Sequence, residues 1–332
     1  MKAIVYHEYG SPDGLKLEEV EKPTPNDDEV LVKVHAVGIN AADWVLLTGK
    51  PFVVRLMSGI QKPKNTILGA DVAGRVEAIG RNVKQFQPDD EVFGDISACG
   101  FGGLAEYVAV PENTLVLKPS TITFEEAAAV PMAAVTALQG IRAGGQIQPG
   151  QKVLINGASG GVGTYVLQIV KSFGAEVTAV CSTRNLDMVR LIGADHVIDY
   201  TQEDFTQNGQ RYDRIIAVNG YHPIWDYKRA LSPGGVYVCT GGAMPQVFQS
   251  SLLGSLISMT GDKEMVNMGV AKPSAEDLTF IKKLLETGKI VPVIDRCYPL
   301  SEAPDALRYL GEGHAKGKVI ITVLNNNQDE TL

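Results

Sequence analysis

Residues 152–174 read KVLINGASGGVGTYVLQIVKSFG. An apolar run, VLI at 153–155, leads into a turn carrying Gly157, Gly160, Gly161 and Gly163. An apolar-periodic stretch follows, so the segment reads strand, turn, helix. Within it, ASGGVG at 158–163 matches the dinucleotide fingerprint G-x-G-x-x-G, with alanine at the first glycine position. Glycine permits a tight turn and lets backbone N–H groups approach a pyrophosphate. The helix N-terminus then sets partial positive charge against the phosphates. Without a ligand the same residues make only a tight strand-to-helix turn. The flanking strand and helix favour the dinucleotide reading.

Downstream, strand and helix alternate. EVTAVCS, HVIDY, DRIIAV and GVYVCTGG read as strands, and NLDMVRLIG as a helix. That alternation implies parallel βαβ units and a doubly wound α/β sheet, the Rossmann arrangement. The strand after the glycine turn selects the cofactor. NAD sites place Asp or Glu about 20 residues on, against the ribose 2′-hydroxyl. Here the strand ends Cys181-Ser182-Thr183-Arg184, and the acidic position is empty. Ser182 can donate to a 2′-phosphate and Arg184 can offer a charged fork, which favours NADPH. The competing reading makes Ser182 a helix cap and Arg184 a surface residue.

Upstream the texture differs. MKAIVY, EVLVKVHAVGI, DVAGRVEAIG, DEVFG and AEYVAV are short strand-like runs broken by Gly, Pro, Asn and Asp. They predict a barrel-like β domain. TFEEAAAVPMAAVTALQGIRAG is helical in pattern, with Thr123 and Glu126 spaced as a capping box and Pro131 as an interruption. AEDLTFIKKLLETGKI predicts a last long helix ending at Gly288. VPVIDRCYPL and KVIITV then read as strands that rejoin the first domain, with EAPDALRYLGEG between them. The domains expected are therefore 1–122, 123–291 and a return segment, 292–332. Residues 245–275 have no clear pattern, and the polar tail NNNQDETL is expected to fray.

Composition narrows the function classes. The 332 residues carry a formal net charge of −8, with 45% hydrophobic and 20% charged residues. That balance suits a globular protein and disfavours nucleic acid or an anionic membrane surface as partner. No apolar run has the roughly 20 residues of a spanning helix. Cys99, Cys181, Cys239 and Cys297 lack metal-ligand or redox spacing. With no signal peptide apparent, a cytoplasmic protein is expected.

Several landmarks together resemble the zinc-free quinone oxidoreductase branch of the medium-chain dehydrogenase/reductase superfamily. They are MKAIVYHEYG, VGINAADW, LGADVAGRVEAIG, PDDEVFG, GASGGVG, LIGADHVIDY and GKVIITV, spread over nearly the whole chain. The Cys181–Asn185 stretch and GHAKGKVIITV are most similar to plastid-envelope quinone oxidoreductase homologues and oxo-lipid reductases. The resemblance implies a GroES-like β-barrel domain, built from both ends of the chain, with a Rossmann domain inserted. It implies that Ser159, Gly160, Gly161 and Val162 touch the pyrophosphate, and that Ser182 and Arg184 meet the 2′-phosphate. Tyr200 falls near the adenosine, and Asn219 and Gly241 near the nicotinamide path. His314, Ala315 and Lys318 belong to a segment closing over the cofactor. Tyr200 as loop packing, Gly241 as a turn, His314 as a surface residue and Lys318 as a solvated charge are the plain alternatives. A homodimer is expected, with SLLGSLISM as a candidate contact.

Zinc-dependent relatives hold the metal with Cys, His and acidic ligands. Here the first ligand position is Asn40, and Gly69-Ala70-Asp71 replaces a Gly-His-Glu segment. No metal site is expected. Reducing an isolated ketone localises charge on one oxygen, which needs a Lewis acid or proton donor. Conjugate addition to an enone or reduction of a quinone delocalises it. Quinones, 2-alkenals and oxo-lipids are the expected substrates. Asn40 is the candidate for orienting the carbonyl or nicotinamide, and Asp43 for holding its loop. Tyr6 and Tyr107 are alternative proton donors. The competing functions are a metal-free alcohol dehydrogenase on ordinary carbonyls and a dinucleotide-binding scaffold without turnover.

Overall fold

The Val- and Ala-rich runs near the N-terminus are strands in the computed structural model, which describes residues 1–259 and 261–323. They are β1 (Lys2–Val5), β2 (Lys16–Glu19), β3 (Glu29–Ile39), β4 (Asp71–Ile79), β5 (Glu91–Asp95), β6 (Tyr107–Pro111) and β7 (Leu115–Leu117). Two short helices, α1 (Ala41–Thr48) and α2 (Val53–Ser58), lie between β3 and β4. The expected capping box is present. Thr123 Oγ1 accepts from Glu126 N (3.1 Å), and the Glu126 carboxylate accepts from Thr123 N (2.8 Å). It starts α3 (Phe124–Ala128), and the chain restarts as α4 (Pro131–Ala143) where proline removes a helix N–H.

The next run alternates as its pattern demands. It comprises β8 (Lys152–Asn156), α5 (Gly161–Ser172), β9 (Glu176–Cys181), α6 (Leu186–Leu191), β10 (His196–Asp199), β11 (Tyr212–Ala217), α7 (Ile224–Ala230) and β12 (Leu231–Cys239). The stretch without a clear pattern contains α8 (Met244–Met259) and β13 (Glu264–Asn267). After α9 (Ala275–Glu286) come β14 (Ile294–Pro299), α10 (Ala303–Gly311) and β15 (Lys318–Thr322). The tail at 325–332 lies outside the described residues.

Strands β8 to β13 form a parallel six-stranded sheet in the order β10-β9-β8-β11-β12-β13. This is the doubly wound order, with its reversal between β8 and β11. A second sheet runs β14-β15-β3-β4-β5-β7, with β6 also on β3. Antiparallel pairing of Val319 with Ile39 and of Thr322 with Ala36 stitches the C-terminal return into the N-terminal sheet. The apolar faces of β3, β4, β5 and β15 share one core, holding Val32, Val34, Val72, Val92, Val319 and Ile321.

By contacts, one unit comprises Met1–Met132, Pro273–Glu286 and the stretch from Pro292, and the other Ala133–Lys272 and Thr287–Val291. The first unit thus runs past the expected boundary at 122/123 to Met132, and it takes in α9. The cause is local. The Phe124 ring stacks on His35 of β3 at 4.2 Å. A side chain at Gly38 would come within 2.1 Å of Ala128 O, so β3 and α3 pack backbone against backbone.

Candidate functional site

The carboxyl ends of five parallel strands gather most of the predicted cofactor residues. Asn156 of β8 leads into the glycine turn, and Cys181 of β9 into Ser182. Asp199 of β10 leads into Tyr200, Ala217 of β11 towards Asn219, and Cys239 of β12 towards Gly241. Such edges at a reversal of strand order are where doubly wound sheets bind ligands. Gly157 has φ +87°, and a Cβ there would lie 2.8 Å from Asn219 N, so the turn crosses directly beside the end of β11. A Cβ on Gly163 would meet Gly157 O at 2.1 Å, which makes glycine necessary where α5 folds back on the turn. At Gly160 a Cβ meets nothing nearer than Gly157 O at 3.9 Å. That open cradle sits at the N-cap of α5, where no side chain caps the first N–H groups. The residues fit a dinucleotide pyrophosphate.

Ser182 stands at the N-cap position of a short 3₁₀ turn, Thr183–Asn185, without a capping side-chain hydrogen bond, and Arg184 is exposed beside it. The sequence pattern did not single out Asn185. Its buried amide donates to Ser159 Oγ (2.9 Å) and Ser182 Oγ (3.3 Å), tying the glycine turn to the loop after β9. Thr183 Oγ1 donates to Asp199 at 2.5 Å, and this bond leads the causes that hold the Asp199 carboxyl below its usual range. Tyr200 is 61% exposed, and its N–H donates to Cys181 O (3.1 Å).

In the other unit, Asn40, Asp43, Asp71 and Lys318 converge in a closed polar centre. Lys318 opens β15 and is buried, which corrects the alternative that it is a solvated charge. Its Nζ donates to Asn40 Oδ1 (2.5 Å), Asp71 Oδ2 (3.2 Å) and Ile39 O (3.3 Å). An ammonium has three donors, and all three are engaged. Asn40 Nδ2 donates to Asp71 Oδ2 (2.9 Å) and Gly38 O (3.1 Å). Both amide hydrogens of Asn40, the candidate for orienting the carbonyl or nicotinamide, thus have internal acceptors. Asp43 accepts from Asn40 N (2.7 Å) and Gly69 N (2.8 Å), holding the start of α1 to the loop before β4.

Burial raises the carboxyl of Asp43 to about 6, against the pull of those two N–H groups. It raises that of Asp71 to about 7, against Lys318 first and the Asn40 amide and Met132 N–H after it. Every group hydrogen-bonded to Asp71 is a donor, Met132 N included at 2.8 Å, so the geometry is built for a carboxylate. His314 and Ala315 lie in the turn between α10 and β15, with His314 exposed and Ala315 half-buried.

The same unit holds a cavity of about 320 Å³ lined by Tyr6, Leu46, Val54, Met57, Ile67 and Phe101 among others. Its lining is mostly apolar. Burial holds the Tyr6 phenol protonated well above the usual range. Tyr107 does not line this cavity, and the Lys22 ammonium sits 3.7 Å from its ring centroid.

Family models match residues 26–120 as an alcohol dehydrogenase GroES-like domain and residues 192–321 as a zinc-binding dehydrogenase. The chloroplast envelope quinone oxidoreductase homolog of Arabidopsis thaliana is 35% identical over 97% of this chain and 98% of that one. The chain belongs to the quinone oxidoreductase branch of the medium-chain dehydrogenase/reductase superfamily. A second Arabidopsis thaliana relative, the chloroplastic NADPH-dependent alkenal/one oxidoreductase, is 35% identical over 97% of this chain and 79% of its own length. The solved quinone oxidoreductase from Coxiella burnetii superposes with a TM-score of 0.85 at 28% identity, covering 98% of this chain and 99% of that one.

The chain is thus an NAD(P)-dependent oxidoreductase of this branch. The zinc in one model's name does not fit these residues. Asn40 and Ala70 stand at two positions that the resemblance assigns to zinc ligands, and the Lys318 ammonium fills the space between Asn40 and Asp71. A cation already present there opposes a second one. Among the described residues, no three His, Cys, Asp or Glu side chains converge as a metal-binding group, and no helix is long and apolar enough to cross a membrane.

Proposed function

We propose that the protein is an NADPH-dependent reductase of conjugated carbonyls: quinones, 2-alkenals and oxo-lipids. The observation that carries this reading is the lysine ammonium held between Asn40 and Asp71. A centre filled by a saturated ammonium offers no coordination site to polarise a lone ketone. An acceptor that delocalises its own negative charge needs less from the protein. NADPH, when bound, supplies the hydride. The chain's own groups do the rest. The open N-terminus of α5 receives the pyrophosphate, and Ser182 and Arg184 stand where a 2′-phosphate is recognised. The apolar cavity beside Tyr6 excludes water from an apolar substrate. The names of the two Arabidopsis relatives, a quinone oxidoreductase homolog and an NADPH-dependent alkenal/one oxidoreductase, point the same way.

The test is NADPH oxidation with a 2-alkenal, a quinone and a saturated aldehyde offered separately. Turnover of the first two and not the third is expected. Activity on the saturated aldehyde alone defeats the reading.

We also propose that the protein is a cytoplasmic homodimer. Support for the dimer comes from α8, along which Met244, Phe248, Leu252, Leu256 and Met259 are all exposed. Support for the location comes from the four cysteines, none of which is paired. Light scattering at twice the chain mass of 35.6 kDa, and recovery in the soluble cell fraction, are the expected results.

A further inference from the structure

The closed centre holds a residue whose work is not explained by any ligand. Lys318 and Asn40 lie 278 positions apart in the chain, yet they meet at 2.5 Å in a buried site. A primary amide can be turned by 180° with little change in shape, so its neighbours decide which end points where. Lys318 can only donate, and an ionised Asp71 can only accept. Together they allow one orientation: Asn40 Oδ1 towards Lys318, and Asn40 Nδ2 towards Asp71 and Gly38 O. Asn40 is the N-cap of α1, and its backbone N–H is gripped by Asp43 of that helix. Leu46 of α1 lines the apolar cavity. A chain of direct contacts and covalent connections therefore runs from the Lys318 ammonium through Asn40 to the cavity wall.

We propose that Lys318 is a positioning residue, an internal cation that fixes the Asn40 amide and through it the α1 wall of the substrate cavity. This differs from a cofactor contact, because all three of its donors already have acceptors within the same unit. It also differs from a passive ion pair, since a passive pair could be neutralised on both sides without consequence for the segment it touches. The effect on turnover rests on the proposed reduction of conjugated carbonyls; the effect on the segment does not.

The experiment compares the full-length wild-type protein with the double variant Lys318→Met/Asp71→Asn. The single Lys318→Met variant leaves a buried carboxylate unpaired and risks failing to fold, whereas the double variant removes both charges at similar shape. Three quantities are measured: hydrogen–deuterium exchange over residues 38–48, the NADPH dissociation constant, and kcat on a 2-alkenal at saturating NADPH. The expected result is cooperative unfolding near the wild-type temperature and NADPH binding within about twofold of wild type. Exchange over 38–48 rises about tenfold or more, and kcat falls by about tenfold.

Unchanged exchange over 38–48 overturns the proposal whatever the rates do. Faster exchange with unchanged kcat overturns the link to the reaction. NADPH binding weakened about tenfold with unchanged exchange makes Lys318 a cofactor ligand instead. If the wild-type protein reduces no conjugated carbonyl, the functional reading fails, and exchange alone still decides whether Lys318 positions the segment.

Discussion

The glycine turn of one unit and the lysine centre of the other handle charge by opposite means. The turn presents backbone N–H groups at the start of α5, with no side chain capping them and open space above Gly160. The centre surrounds a side-chain ammonium with three oxygens and leaves none of its donors unused. Unsatisfied donors at an exposed helix end attract an anion from outside. Satisfied donors in a core attract nothing and instead fix their acceptors. The first arrangement makes a binding site, and the second makes a scaffold for one.

Substitutions that confuse these two roles test the contrast most strongly. Lys318→Met removes the cation from the closed centre and leaves Asp71 buried with no counter-charge. It is expected to lower stability by about 3–5 kcal/mol, read from the urea midpoint. A midpoint equal to wild type would show that the centre relaxes freely and is not closed.

Within the glycine turn, two alanine substitutions separate packing from binding. Gly163→Ala places a methyl 2.1 Å from Gly157 O, and is expected to cost about 1–3 kcal/mol of stability as well as NADPH affinity. Gly160→Ala points its methyl into open space. Its melting temperature should match wild type while the NADPH dissociation constant rises about tenfold. Equal NADPH binding by Gly160→Ala and wild type would remove the cradle from the cofactor site.

Arg184→Ala sharpens the choice of nucleotide. The loss of one charge-assisted contact should weaken NADPH by about tenfold and leave NADH unchanged. A parallel loss for both nucleotides would place the arginine away from the 2′-phosphate.

A further effect is a pH dependence of the closed centre. Asp43 has its folded-state pKa raised from 3.8 to about 6 by burial. The folded protein therefore holds that proton more tightly than the unfolded chain does. The stability this contributes is present at low pH and is lost as pH rises from about 4 to about 6. Urea midpoints measured across that window should fall less steeply in Asp43→Asn than in wild type. An unchanged slope assigns the dependence to other groups.

Local motifs made much of this legible in the sequence. The glycine turn, the capping box of Thr123 and Glu126, and the strand ends at Ser182, Tyr200 and Gly241 each depend on residues close together in the chain. Periodicity could find them, because a strand or helix imposes its own spacing on the residues that build it. The segments β2, α1, α2, β7, α7, α8 and β13 were missed. Each is short or carries apolar residues on several sides, as along α8, where large apolar residues remain exposed. The first contact unit reaches past 122/123 to Met132 for a related reason. The helical pattern starting at Phe124 was visible, but its stacking on His35 was not.

The amino-acid sequence by itself determined the doubly wound sheet, the dinucleotide turn and the empty acidic position after β9. All are set by residue type at fixed short spacing, where backbone geometry leaves few alternatives. Only the tertiary structure decided the meaning of Asn40, Asp71 and Lys318. Read singly, they are a loop amide, an acid and a basic residue near the C-terminus. Antiparallel pairing of β15 with β3 brings the lysine beside the amide and carboxylate, and burial then makes their mutual hydrogen bonds obligatory.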